Sequence, residues 1–285
     1  GSDPLVPNGT LNNPDFNPAL DNERIREYMM TYGVGSGETS LLTVDGILTG
    51  QLSSFELAGG VIDYALGFQY RDETYETGVS GFYDGVEFPC AAGPEIKDCE
   101  TGRTGLFGFL PPSFPIDEDR DIWSVFGEFH FPLSDSVEAQ LSIRHEDYGG
   151  ETGSTTDPKV SVRWQVTDSI GLRASFGSTF RGPTLNQTVG SNSSSSLQYV
   201  AATGAFKRID TTGNPSLKPE EADTINIGLL VDRDGLLTGS DNLYFTVDYW
   251  SYDFTDPLVT EPFTNILNLA CPAGVCDPDG EYFDR

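Results

Sequence analysis

The chain has 285 residues, with 16 Lys+Arg against 44 Asp+Glu for a net charge of −28, and 37 % of it is hydrophobic. Cations this sparse, with no Lys/Arg run, exclude nucleic acids and other polyanions as partners. Adding the 32 Gly to the apolar fraction brings it near the ordinary globular range, so the acidity does not mark a disordered chain.

No segment approaches the roughly 18–20 continuous apolar residues of a membrane helix, and Gly1-Ser2-Asp3-Pro4 does not read as a signal peptide. Helical periodicity is confined to Asn22–Tyr32, inside a loop and strand-entry segment over 1–39. From there the pattern has period 2. Ile62, Tyr64, Leu66, Phe68 and Tyr70 share one face, away from Asp63, Gln69 and Arg71. Val137, Ala139, Leu141 and Ile143 alternate with Glu138, Gln140, Ser142 and Arg144, and the alternation recurs through Val160–Val166, Ile170–Phe176, Ile225–Val231 and Leu243–Tyr249. Each run reads as a strand with one greasy and one wet face. Eight strands are expected, near 40–56, 61–75, 121–131, 136–149, 157–166, 170–181, 222–232 and 241–255.

The links between them alternate in kind. Ala58-Gly59-Gly60, Pro132–Asp135 and Thr167-Asp168-Ser169 are tight turns, and Asp232–Asp241 is a somewhat longer one. Links near 76–120, 150–156, 182–221 and 256 onward are rich in Gly, Pro, Ser, Asn and Asp. One-sided loops on strands that are apolar outside and polar inside predict an all-β, antiparallel transmembrane β-barrel, with short periplasmic turns and long extracellular loops. A soluble antiparallel sandwich shares the alternation and is the alternative.

The four Cys form two local pairs in loop sequence, Cys90 with Cys99 and Cys271 with Cys276. This spacing suits disulfides in an oxidising compartment better than a zinc site, which would want CxxC or nearby His. Only His130 and His145 could serve as neutral-pH bases or soft metal ligands. With the hairpin closed at Pro132–Asp135, His145 pairs near residue 122, about 27 Å from His130 at about 3.4 Å per residue, so the two share no site. No serine or second base is fixed beside His145, and no GxSxG, Walker-type or dinucleotide fingerprint is present, so His145 reads as an extracellular strand-end residue, with a barrel hydrolase using it as a weaker option. The acidic groups Asp117-Glu118-Asp119 with Asp121, and Asp277, Asp279, Glu281 with Asp284, are weak calcium candidates that complete no EF-hand loop, and no metal or cofactor is assigned. At the loop end of the last strand, Tyr249, Trp250, Tyr252 and Phe254 form an interfacial belt or a stacking surface for a ligand.

Specific residues then narrow the reading. Arg173, Ser175, Phe180, Arg181 and Pro183 are followed, after a loop, by Asn214, Pro215, Leu217, Lys218, Pro219 and Glu220. This pair of linked motifs resembles the barrel of TonB-dependent outer-membrane receptors, as does Phe55–Gly60 leading into Ala65–Glu73, and the resemblance spans roughly residues 40–255. Proline lacks the amide donor, so Pro183, Pro215 and Pro219 would end strand pairing where the chain leaves and re-enters the ladder. Arg181 and Lys218 are expected to pair with acidic neighbours at the rim. Gly182 stands where the family more often has Ala, a difference expected to be harmless.

The resemblance implies a bacterial outer-membrane location. It also implies active uptake of a scarce ligand (ferric siderophore, corrinoid, haem or oligosaccharide), driven by the TonB complex through a plug and its TonB box. Eight strands are too few for the 22 of such receptors, and no plug-like segment precedes residue 40. The chain therefore reads as an internal piece of a longer barrel, with 256–285 a disulfide-bearing extracellular loop. The expected partners are TonB, a small-molecule ligand and outer-membrane lipid. The ligand contacts expected at strand ends and loops are Arg181, Tyr249, Trp250 and Tyr252. An exported soluble β-sandwich that binds glycans or mediates adhesion is the competing function, and a small eight-stranded barrel the competing architecture.

Overall fold

A computed structural model describes residues 33–79, 81–91, 93–98, 105–106, 111–190, 192–200, 204–235, 239 and 241–270. Eight strands form one antiparallel sheet: β1 (Gly35–Leu57), β2 (Gly60–Val79), β3 (Ile116–Ser134), β4 (Val137–Asp147), β5 (Ser154–Thr167), β6 (Ile170–Arg181), β9 (Glu220–Asp234) and β10 (Asn242–Thr255). Every strand pairs with its neighbour in sequence except β6, which pairs with β9, because the hairpin of β7 (Asn192–Val200) and β8 (Ala205–Thr212) stands apart as its own two-stranded sheet. The sheet is open between β1 and β10. The rest is a 3₁₀ turn at Gly81–Tyr83 and two helices, α1 (Leu185–Thr188) and α2 (Phe263–Ala270). Among the described residues no helix is long and apolar enough to cross a membrane, which says nothing of a β-barrel.

Register turns alternation into a surface. One face carries Tyr64, Leu66, Phe68 and Tyr70 of β2 beside Phe129, Val125 and Trp123 of β3. It continues through Leu141 and Ile143 of β4, Val160, Val162 and Trp164 of β5, and Leu172 and Phe176 of β6, to Ile225–Leu229 of β9 and Val247 and Tyr249 of β10. No charged side chain interrupts this band, and its large apolar residues are exposed: Ile227 is 55 % accessible and Phe176 53 %. From Ile62 to Tyr70 the band spans nine residues of one strand, which matches the roughly 9–11 that a tilted strand needs to cross the hydrocarbon core. A sandwich would bury these rows under a second sheet, and among the described residues nothing covers them.

The strands outrun the sequence expectation at the loop end. β1 is 23 residues long and β2 is 20, so both project well past the band. There both faces are wet and the period-2 signal fades. A correction concerns the β3–β4 hairpin. The pairing slips by one residue between Pro132 and Ser134, and His145 lies opposite Val125 rather than residue 122. His130 and His145 are therefore about 17 Å apart along the ladder at about 3.4 Å per residue, and still share no site. The Asn22–Tyr32 segment lies outside the described residues.

Candidate functional site

The wet face of the sheet points into the lumen, and its loop end holds a network built on Glu146. This carboxylate is only 2 % exposed. It accepts from Arg71 at 2.6 Å and from Arg144 at 2.5 Å, and the Tyr148 hydroxyl hydrogen-bonds to it as well. Arg144 also donates to Ser124 Oγ (2.8 Å) and Gln69 Oε1 (3.0 Å). Above it, Arg120 pairs with Glu73 at 2.7 Å, donates to the Pro183 carbonyl at 2.9 Å, and lies over the Tyr148 ring at 5.1 Å. Burial, then the Glu146 hydrogen bond and charge, push the Tyr148 phenol far above its ordinary range. Two guanidinium groups around one buried carboxylate satisfy the condition under which a charge is tolerated inside.

This network positions the chain leaving β6. Arg120 holds Pro183, and Gly182 lies flat against Tyr148, where an added Cβ would overlap the ring. An Ala at 182 would force Tyr148 or the chain around it to shift, so in this chain the Gly suits its neighbour. The turn of α1 follows, with Thr184 N–H donating to Gln187 Oε1 at 2.9 Å, and it roofs an open cleft of about 510 Å³ lined by Leu41, Arg71, Arg120, Tyr148, Pro183 and Asn186 among others.

The motif residues lie at the rim, where they join connections. Arg181 makes a two-pronged pair with Glu220, 2.6 Å from Nε and 3.0 Å from Nη2, and Glu220 also accepts the Leu258 amide. The Arg181 guanidinium, and then that amide, hold the Glu220 carboxyl below its usual range. Lys218 donates to the backbone oxygen of Glu151, while the Glu151 side chain accepts from Ser216; the expected pairing of Lys218 with a carboxylate is thus replaced by a tie to the β4–β5 turn. Asn214 N–H donates to Gln187 O at 2.7 Å, which docks the same segment on α1.

The expected aromatic contacts separate. Tyr249 lies in the outward apolar band, in register with Ile227, whereas Trp250 and Tyr252 share the lumen face with Phe254. Their rings follow one another at 5.7 and 6.3 Å between centroids. His145 points outward beside Trp123 and bonds Thr156 Oγ1, and His130 sits between Asp63 and Glu138 on the lumen face at the turn end.

Cys90 is buried and disulfide-bonded. Its expected partner Cys99 lies outside the described residues. Both members of the second expected disulfide, Cys271 and Cys276, lie outside them too, so the bond from Cys276 to Cys271 stands as a proposal. The calcium candidates Asp277, Asp279, Glu281 and Asp284 fall in the same undescribed stretch. Among the described residues no group of three or more His, Cys, Asp or Glu could hold a metal ion, so Asp117, Asp119 and Asp121 form no such site.

Sequence reasoning did not anticipate the Glu146 network. Arg71 and Arg144 were visible as wet strand positions, and Arg144 shares its face with Glu146 two residues on, but that Arg71 meets the same carboxylate depends on a register that the β3 slip conceals.

The profile of the family described as TonB dependent receptor-like, beta-barrel matches residues 6–274. No curated protein matches the sequence. Among solved structures, the chain is similar to the siderophore receptor PirA of Pseudomonas aeruginosa, with 13 % identity over 77 % of this chain and 33 % of that one and a TM-score of 0.52. It is similar to a ferric enterobactin receptor, PfeA, of the same organism in complex with enterobactin, with 17 % identity, coverage of 76 % and 27 %, and a TM-score of 0.55. It also resembles the RagAB peptide transporter, with 17 % identity, coverage of 82 % and 26 %, and a TM-score of 0.50. The chain thus spans about a quarter to a third of the length of these structures.

Proposed function

Since this chain belongs to the TonB-dependent receptor-like β-barrel family, we propose that it supplies part of the wall of a receptor that takes up a scarce ligand across the bacterial outer membrane. The family and the structures it matches are receptors and transporters, not enzymes, and the location is the outer membrane. The observation that carries the reading is the uncharged outward band, backed by a charged lumen face whose loop end is roofed by long connections. Long loops capture the ligand, Trp250 and Tyr252 receive it on the lumen face, and Arg181 stands at the rim. TonB, engaging a plug within the barrel, supplies the energy, and no bond in the ligand is made or broken. The siderophore receptors and the peptide transporter that share the fold support a ligand of small-molecule size, with ferric siderophore, corrinoid, haem and oligosaccharide as the classes to test.

Two measurements test this. The native protein should fractionate with the outer membrane and migrate differently on a gel when unheated; a protein soluble without detergent would return the reading to an exported glycan-binding or adhesion module. Deleting the gene, or TonB, should abolish growth on one of the candidate iron, corrinoid or glycan sources. Unchanged growth on all of them would reject uptake.

A further inference from the structure

One turn of the wall is strained, and it lies where the chain leaves β10. The β9–β10 ladder ends with Thr255 opposite Glu221, and the next residue, Asp256, has a φ of 51°. Among the described residues every other positive φ belongs to a glycine. Left-handed backbone crowds the Cβ against the carbonyl oxygen of any other residue. A following proline also drives the residue before it toward extended backbone, so Pro257 opposes the observed conformation a second time. Such a conformation persists only where its surroundings over-determine it.

Here the surroundings supply little. Asp256, Pro257 and residues 259–262 are exposed, Val259 to 80 %, and Leu258 is half-buried. Pro257 and Pro262 have no amide to donate. Among the described residues a single hydrogen bond joins 256–262 to the sheet, from Leu258 N–H to Glu220 Oε2 at 2.9 Å. Glu220 is held for this task from its other side. Arg181 donates from Nε to Oε1 at 2.6 Å and from Nη2 to Oε2 at 3.0 Å, which fixes the carboxylate that receives Leu258. The strain of a left-handed non-glycine residue and one hydrogen bond to a charged group are of the same order and opposite in sign. The bonded turn therefore wins by a small margin, which is the condition for a second, populated position.

We propose that the connection leaving β10 is a strap with two positions: latched, with Leu258 on Glu220 and Asp256 strained, and released, with that bond broken and Asp256 relaxed to extended backbone. Glu220 is the latch, Arg181 the residue that positions it, and Asp256–Pro257 the hinge. Release frees residues 256–262 and α2 behind them, while β9 and β10 keep their ladder. The motif pair Arg181–Glu220 thereby gains a second task, setting how long this connection stays on the rim. The strap goes beyond the uptake reading, and either can fail without the other.

The test is hydrogen–deuterium exchange of full-length protein solubilised from outer membranes, read by mass spectrometry with fragmentation to single residues. The Leu258 amide should exchange about ten- to a hundredfold slower than in an unstructured peptide, equivalent to a released share of about 1–10 %. It should still exchange far faster than the amides of Ile227 and Leu229 in the β9 ladder. Glu220→Gln, which leaves a neutral acceptor, should speed Leu258 about tenfold. Arg181→Gln, which frees the carboxylate among about three rotamers, should speed it about threefold. Asp256→Val puts a β-branched residue in the left-handed site and should speed it about tenfold, whereas Asp256→Asn, which tolerates that site, should leave it unchanged. Parent rates at Ile227 and Leu229 in every variant would show that each is folded. Leu258 exchange at the free-peptide rate, or an unchanged rate in Glu220→Gln, would remove the latch. Exchange as slow as the β9 amides would remove the released position, and equal rates in the Val and Asn variants would remove the hinge. Any of these overturns the strap, and TonB-dependent uptake persisting in that case keeps the receptor reading intact.

Discussion

The tightest contact of the rim can be tested by one methyl group. Gly182→Ala places a Cβ inside the Tyr148 ring, and the structure fixes how the protein must respond. Tyr148 is 7 % exposed, hydrogen-bonds to Glu146 and lies under Arg120. Swinging the ring into water would forfeit burial worth about 4 kcal/mol, taking about 150 Å² at about 25 cal/mol/Å². It would also forfeit about 1 kcal/mol of hydrogen bond and about 1 kcal/mol of cation–π contact. Overpacking a filled site costs about 1–3 kcal/mol. Squeezing is cheaper than swinging, so residues 182–184 should shift and the variant should lose about 2 kcal/mol. Urea unfolding in detergent micelles reads this as a lower midpoint at unchanged slope. Because the cost is a clash with one ring, it should vanish in a Tyr148→Ala background. If Gly182→Ala costs the same with and without the Tyr148 ring, the packing argument fails.

Other outcomes follow from the same network. Glu146→Gln leaves Arg71 and Arg144 facing a neutral amide, and should destabilise by about 2–3 kcal/mol, below the roughly 3–5 of a fully buried pair because the arginine side chains are 22 % and 30 % exposed; Arg144→Met added to Glu146→Gln should recover part of the loss in the same unfolding assay. The raised Tyr148 phenol favours the protonated folded state, so its contribution is complete below the unfolded tyrosine value of about 10 and is lost as pH rises through the folded value; a tyrosinate absorbance titration should leave one of the 12 tyrosines neutral until the barrel opens. For Glu220 the sign reverses: the rim pair contributes above the ordinary Glu value of about 4.3 and is lost as pH falls through the depressed one, so the difference in melting between the parent and Arg181→Gln should shrink in acid. Mass spectrometry without reduction should return Cys90 linked to Cys99 and Cys271 linked to Cys276; four alkylatable thiols would refute both.

Much of this architecture was readable from periodicity, and the failures have physical causes. Alternation within the bilayer is enforced on one side by lipid and on the other by the wet lumen, so Val137–Arg144 and Ile170–Phe176 announced both strand and face. Beyond the band nothing apolar is required, and the extensions at 35–39 of β1 and 116–120 of β3 lost their signal together with their lipid. The β7–β8 hairpin was hidden because its first strand opens on Asn192-Ser193-Ser194-Ser195-Ser196, which carries turn composition, and only Leu197–Val200 follow with apolar residues. Period 2 also had more to give: Tyr249 and Trp250, grouped as one patch, are adjacent residues of a strand and so must face opposite ways. Period 2 already put Arg144 and Glu146 on one face of β4, but that Arg71 of β2 meets the same carboxylate was out of reach, since one residue of slip near Pro132 sets that register.

The net charge takes on a spatial meaning once the faces are assigned. Of the eight Lys and Arg in the eight sheet strands, Arg71, Arg120, Arg144, Lys159, Arg163, Arg173 and Arg181 all face the lumen, and Arg233 alone faces outward, one pleat past Val231 at the turn end. A cation on the lipid face at the bilayer midplane costs about 2–4 kcal/mol, which accounts for their absence from the band. It does not account for the carboxylates, because Asp72, Asp121, Asp147 and Asp253 take outward positions just above the band, where no lumen arginine can neutralise them. The outer rim is therefore the acidic surface, while six of the seven lumen cations are matched by Glu73, Glu138, Glu146, Glu220 or Asp248. An anion approaching from outside is repelled by the rim in general and attracted only where a lumen charge is left over. That condition singles out Lys159, the lumen-facing strand cation that no carboxylate pairs among the described residues, so the inner wall of this sheet keeps one positive charge behind an acidic rim.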